Sequence, residues 1–174
     1  MYLYDILMSD NVEMAIKNNL YYILDIIPEI KFMIGFDQKH PHHHLDLWNH
    51  TLYALSLSEK DFEVRLSLLL HDIGKPFSYQ EGEIRHFKGH PQVSGEMSRI
   101  ILFRLGYDKN IIDRICKYIE LHDTLIKESD FLSDPLFYTK LYKIQYCDAL
   151  AHHPDKLEKR KEYLEKTKKL IKTL

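Results

Sequence analysis

Residues 66–76 read Leu-Ser-Leu-Leu-Leu-His-Asp-Ile-Gly-Lys-Pro, and no other stretch restricts the chain as much. Leu66, Leu69, Leu70 and Ile73 recur at three- and four-residue steps, the spacing of a buried helix. Gly74 is expected to stop that helix and Pro76 to keep it from resuming. An apolar helix therefore carries His71, Asp72 and Lys75 toward the interior. Burying an imidazole and a carboxylate is costly unless they are neutralised, and a divalent cation is the simplest neutraliser. The plainer alternative is a His and an Asp that cap a helix end.

The rest of the chain reads as further helices. The pattern predicts one over residues 10–27, capped by Asp10, with Val12, Ile16, Leu20, Ile23, Leu24 and Ile27 on its apolar face. Pro28 starts a short one over 28–34, ended by Gly35. Residues 36–44 form a loop holding His40 and the run His42-His43-His44, which on a surface most often does nothing specific. Residues 46–58 are helical, with His50 beside the inner stripe; Asp46 is either the N-cap or a partner that orients His50. Asp61 caps the helix that ends at His71. Residues 77–88 are the one hairpin-like piece, two aromatic-containing runs around a Glu-Gly turn.

His90 is expected at an N-cap, with Pro91 opening a helix that Gly106 closes. Asp108 opens the next, which His122-Asp123 end. Asp134-Pro135 begin one that runs to about Ala151 and carries Asp148 among apolar neighbours, with His152 one turn later. Residues 155–172 are a last helix with eight Lys and Arg against four acidic residues. It reads either as a solvated helix or as a basic rail for phosphates. The fold class is all-α, a helical bundle with one small β-hairpin. At 174 residues a single domain is expected, its end helices (10–34 and 155–172) packed on a 46–153 core.

Composition narrows the function. A net charge of −2 gives no general bias toward nucleic acid or membrane surfaces. No apolar run approaches the roughly 18 residues of a membrane span, and the first residues lack the basic-then-apolar order of a signal peptide. Cys116 and Cys147 fall inside helical patterns away from the histidines and read as buried free thiols. A cytoplasmic protein is expected. The inward-looking polar groups are His50, His71, Asp72, His90, His122 and Asp148, from five predicted helices. Such an oxygen and nitrogen set without thiolate suits Mn, Fe, Co, Ni or Mg better than structural zinc.

The order His, His-Asp, His, His, Asp, with Gly74-Lys75 following the pair, resembles the HD-domain metal-dependent phosphohydrolases. The likeness is closer to the HD region of bacterial CCA-adding tRNA nucleotidyltransferases. It rests on Pro28-Glu29-Ile30, Gly35-Phe36-Asp37-Gln38, the run from His44 to Leu52, Arg65 before the central stretch, His86 to His90, and Asp148 to His152. The Gly-Ser followed by Asp-x-Asp of the nucleotidyltransferase head is missing, so a free-standing HD domain is expected and CCA addition is not.

The resemblance implies an HD-domain helical bundle holding one or two divalent metal ions. His50, His71, Asp72 and Asp148 would hold the first, and Asp72 would bridge to a second on His90 and His122. The implied reaction is hydrolysis of a nucleotide-like phosphomonoester or phosphodiester by metal-activated water. The related fused domains suggest a 2′,3′-cyclic phosphate or a 2′-nucleotide, with a deoxynucleotide, a dinucleoside polyphosphate or a cyclic dinucleotide as the rival substrates. Asp72 and Lys75 would be catalytic, with Lys75 on the phosphoryl oxygens. His86 would contact substrate or protonate the leaving group, and Arg65 would be a structural ion pair. The alternative from another class is a non-catalytic RNA-binding module derived from a tRNA nucleotidyltransferase.

Overall fold

The computed structural model describes residues 2–41 and 44–173, the side chains of Lys156, Lys159, Lys172 and Thr173 excepted. Its regular elements are helices: α1 (Leu3–Leu7), α2 (Val12–Asn18), α3 (Leu20–Ile26), α4 (Leu47–Ser56), α5 (Phe62–Leu70), α6 (Lys75–Ser78), α7 (His90–Arg104), α8 (Lys109–Leu121), α9 (Glu128–Ser133), α10 (Pro135–Leu150) and α11 (Glu158–Thr173). Short 3-10 turns at Pro28–Phe32 and Pro154–Lys156 complete them. No helix among the described residues is long and apolar enough to cross a membrane.

The central stretch makes α5 the axle of the bundle. Every residue from Val64 to Leu70 is buried, Leu66, Leu68, Leu69 and Leu70 completely. Around it pack α1, α4, α8 and α10, which bring their own apolar faces. Asp61 caps α5 as expected, accepting from the Glu63 and Val64 amides at 3.0 and 3.1 Å. Arg65 is also buried but is in no ion pair among the described residues: it donates to the Leu7 and Ser9 carbonyls at 2.6 and 2.8 Å and to Ser58 Oγ and O. It thus ties the end of α1 and the α4–α5 connection to the axle. Its neutral partners replace the ion pair expected from sequence, because loop carbonyls without helical partners need donors.

The turn after α5 departs from expectation in an informative way. Gly74 has ordinary right-handed angles (φ −83°, ψ −14°), so it is not there for a left-handed stop. It is there for room: a Cβ would lie 2.6 Å from the Ser94 amide nitrogen, and the Gly74 N–H donates to Ser94 Oγ at 2.9 Å. Nor does Pro76 prevent a helix; it sits in the first turn of α6, where its missing N–H has no partner to lose. Gly106 does act as a left-handed stop (φ +80°). The Tyr107 and Gly106 amides reach back to the Leu102 and Phe103 carbonyls at 3.1 and 3.0 Å, which folds α8 back along α7.

Other local expectations shift for visible reasons. The single helix over 10–27 is two, because Asn19 Nδ2 takes the Ala15 carbonyl at 2.8 Å and the backbone leaves helical angles there. Asn11 rather than Asp10 caps α2, accepting from the Met14 amide at 3.0 Å. Helices α1 and α9 were not anticipated. The hairpin over 77–88 reduces to one antiparallel bridge between Gln80 and His86, with Gln80 N–H donating to the His86 carbonyl at 2.9 Å. That segment is mostly exposed, and two strands without an apolar face to bury do not hold together. Cys116 and Cys147 are buried free thiols, and burial pushes them up to about 11 and about 12.

Two stability measurements check this account. Gly74→Ala should lower unfolding stability in urea by about 2 kcal/mol or more, since the clash is with backbone. Arg65→Ala should cost about 3 kcal/mol by stranding several carbonyls, with amide exchange rising first in α1.

Candidate metal centre

Helix ends deliver the polar groups to one place. His50 comes from the middle of α4, His71 is the residue that ends α5, and Asp72 follows it. His90 is the first residue of α7, and the N-cap there is Gly89 rather than His90. His122 ends α8, and Asp148 lies in the last turn of α10. All six side chains expected from sequence converge, each residue 7 % exposed or less.

Their arrangement centres on Asp72. Its Oδ2 lies 3.3 Å from His71 Nε2 and 3.9 Å from His50 Nε2. Its Oδ1 lies 3.1 Å from His90 Nε2 and 3.7 Å from His122 Nε2. Asp148 Oδ1 closes the first group, 2.9 Å from His50 Nε2 and 3.5 Å from His71 Nε2. Ligand atoms of His50, His71 and Asp72 lie within 4.8 Å of one another, and so do those of Asp72, His90 and His122.

Backbone carbonyls set the tautomer of every ring. Nδ1 of His50, His71, His90 and His122 faces the carbonyls of Ala151, Leu68, Phe87 and Ile119 at 3.1, 2.8, 2.9 and 2.6 Å. A carbonyl only accepts, so Nδ1 carries the proton and a neutral ring turns the Nε2 lone pair inward. Rings so held are the usual form of metal-ligating histidine. His90 and His122 point their Nε2 atoms at each other across 3.2 Å, an arrangement that needs a proton or a cation between them. His71 Nε2 and both oxygens of Asp72 are buried without a hydrogen bond of proper geometry among the described residues, although Lys75 Nζ lies 2.7 Å from Asp72 Oδ2. Buried polar atoms left in this state ask for a ligand, and the donor set fits a divalent cation.

Electrostatics agree. Burial opposes charge on His71, but Asp72 and Asp148 outweigh it and push the imidazole up to about 10. Burial likewise opposes charge on Asp72, yet His71 and Lys75 hold it well below the usual carboxylate range. Asp148 is held low against burial by His152 and Arg160. Burial pulls His122 down, helped by His71.

A cleft of about 410 Å³ opens on the cluster. Lys75 lines it, buried, its ammonium also 3.1 Å from Gln38 Oε1. His86 lies on the exposed wall, its ring 6.1 Å from that of His40. His44 sits edge-on to His153 at 5.5 Å and is not part of the cleft lining, and His42 and His43 lie outside the described residues. Asp46 is the N-cap of α4, accepting from the Asn49 amide at 2.9 Å; His50 is oriented by Ala151 instead.

Sequence reasoning assigned no role to Asp123, His152 or Arg160. His152 lies with His50 and Asp148 in a third group of ligand atoms within 4.8 Å, its Nδ1 on the Asp148 carbonyl at 2.9 Å, and burial pulls it down to about 4. Its four-residue spacing from Asp148 was the available signal. Arg160 turns inward from α11 to reach Asp148 Oδ2 at 2.8 Å and Asp123 Oδ1 at 3.2 Å. In a helix with charges on most faces, nothing marked that one residue.

Comparison with known proteins agrees with this geometry. The HD-domain family profile matches residues 43–172. A CC-adding tRNA nucleotidyltransferase of Thermus thermophilus is 35 % identical over 105 residues, covering 55 % of this chain and 24 % of that protein. An A-adding tRNA nucleotidyltransferase of Deinococcus radiodurans is 30 % identical over 117 residues, 62 % of this chain and 27 % of the relative. A multifunctional CCA protein of Hahella chejuensis is 28 % identical over 152 residues, 84 % of this chain and 34 % of the relative. The chain thus spans about a quarter to a third of the length of these curated relatives. With the profile matching most of its length and the buried histidines and aspartates gathered at one cleft, the chain belongs to the HD-domain family.

Proposed function

We propose that this protein is a metal-dependent phosphohydrolase acting on a nucleotide-like phosphomonoester or phosphodiester. One observation carries the reading: the two oxygens of a single buried carboxylate, Asp72, look toward two different pairs of imidazoles. That suits two cations sharing Asp72, one on His50, His71 and Asp148 and the other on His90 and His122. Divalent ions held there would supply acidification of a water and charge neutralisation at phosphoryl oxygens.

The chain's own residues do the rest. Backbone carbonyls keep the Nε2 lone pairs aimed inward, so no ring has to turn or change tautomer on loading. Lys75 balances Asp72 at the cleft wall, and its ammonium is placed to take up charge growing on phosphoryl oxygens, where such reactions need help. His86, exposed at the cleft, is placed to contact the substrate or give a proton to the leaving oxygen. The tRNA named in the relatives' descriptions supports an RNA-derived substrate, a 2′,3′-cyclic phosphate or a 2′-nucleotide.

Three measurements test this. Purified protein loaded with Mn, Co, Ni or Mg should hydrolyse an aryl phosphate or a bis-aryl phosphodiester. Absence of turnover at confirmed occupancy with every one of these ions would contradict the reading. Lys75→Met should retain its metal in elemental analysis while kcat falls about 100-fold, the usual loss of one oxyanion-stabilising group. Metal uptake should also release a proton. With His71 at about 10 in the metal-free protein, its Nε2 proton is bound at pH 7 and must leave before a cation can take that atom. Apparent affinity should therefore rise about tenfold per pH unit between pH 7 and 9, and titration calorimetry in buffers of different ionisation enthalpy should count about one proton released.

A further inference from the structure

We infer that Asp123 is a fourth ligand of the ion held by Asp72, His90 and His122, so that the site contains two His-Asp pairs rather than one; the inference rests on the two-ion reading above.

The same tripeptide occurs twice, as Leu70-His71-Asp72 and as Leu121-His122-Asp123, and each copy ends a helix with an apolar face in the core, α5 and α8. The local geometry repeats as well. In each copy the imidazole Nδ1 bonds the carbonyl three residues back, Leu68 at 2.8 Å and Ile119 at 2.6 Å. In each copy the following carboxylate curls toward the Nε2 of its neighbour, at 3.3 Å for Asp72 and 3.8 Å for Asp123. Asp123 Oδ2 is also 3.5 Å from His90 Nε2. The pair of imidazole nitrogens, themselves 3.2 Å apart, therefore has a carboxylate oxygen near it from each of two aspartates.

Ligand supply points the same way. The His50 side offers two imidazoles, Asp148 and a share of Asp72. Without Asp123, the His90 side offers two imidazoles and only the other share of Asp72, which is thin for an ion that favours six oxygen and nitrogen ligands. Arg160 handles both flanking carboxylates alike. It holds Oδ2 of Asp148 at 2.8 Å while Oδ1 faces His50, and Oδ1 of Asp123 at 3.2 Å while Oδ2 faces His90. An arginine that fixes one oxygen and leaves the other aimed at imidazoles acts as a positioning residue for each.

The test is titration of the metal-free protein with Co²⁺, followed by visible absorption and by elemental analysis after desalting. It uses the full chain, Asp123→Asn and Asp123→Ser. The Asp123 side chain is 41 % exposed at the end of α8, and far-UV circular dichroism checks that both variants keep their helices. The wild type should take up two equivalents. Both variants should bind the first as the wild type does and the second about tenfold or more weakly. If either folded variant binds both equivalents within twofold of the wild-type affinities, Asp123 is only Arg160's ion-pair partner and the inference fails while the two-ion site stands. If the wild type itself binds fewer than two equivalents, the two-ion reading falls and takes this inference with it.

Discussion

A carboxylate sealed in a protein interior must be matched by positive charge, and Asp72 is matched from every direction. His71 and Lys75 lie beside one of its oxygens, and His90 and His122 beside the other. In the metal-free protein the charges nearly balance. Three aspartates (Asp72, Asp123 and Asp148) face Lys75, Arg160 and an imidazole, His71, whose pKa lies well above neutrality. The local positive charges occupy the role that cations would fill in a loaded site, and this lets so polar a centre survive inside an apolar bundle.

The fold can be read as support for that one residue. Helix α5 is buried from Val64 to its end, so that end cannot drift, and Arg65 ties it to the α1 and α4 connections. Gly74 brings the turn after Asp72 against the start of α7, whose first residue is His90. The Schellman turn at Gly106 then sends α8 back so that its own end, His122, arrives beside His90. Short-range backbone features thus produce a contact between residues 32 positions apart. Function follows from the same links: rings held by carbonyls need little reorganisation to bind an ion, and a rigid site keeps its ligands at useful spacing.

Much of this was legible in the sequence. The apolar spacing around His71-Asp72, the Pro and Asp residues that start helices, and the isolated Asp148 were enough to give a helical bundle and the six inward groups. What stayed hidden was decided by contacts between distant segments. Gly74 looked like a helix stop because periodicity says nothing about the neighbour, Ser94, that needs the space. Arg65 looked like half of an ion pair because open carbonyls at Leu7 and Ser9 leave no mark on composition. Arg160 was lost among the charges of α11, since only the packing of that helix on α10 shows which one turns inward. The aromatic run at 77–88 suggested strands, but without an apolar face it could form no more than a bridge.

The central claim is that Asp72 stands between two cations. Crystals grown with Mn²⁺ and measured at a wavelength where manganese scatters anomalously test it most directly. The account predicts two anomalous peaks flanking the Asp72 carboxylate, one beside His50, His71 and Asp148 and one beside His90 and His122. A fully soaked crystal with no peak at Asp72, or with its peaks elsewhere on the molecule, would contradict it.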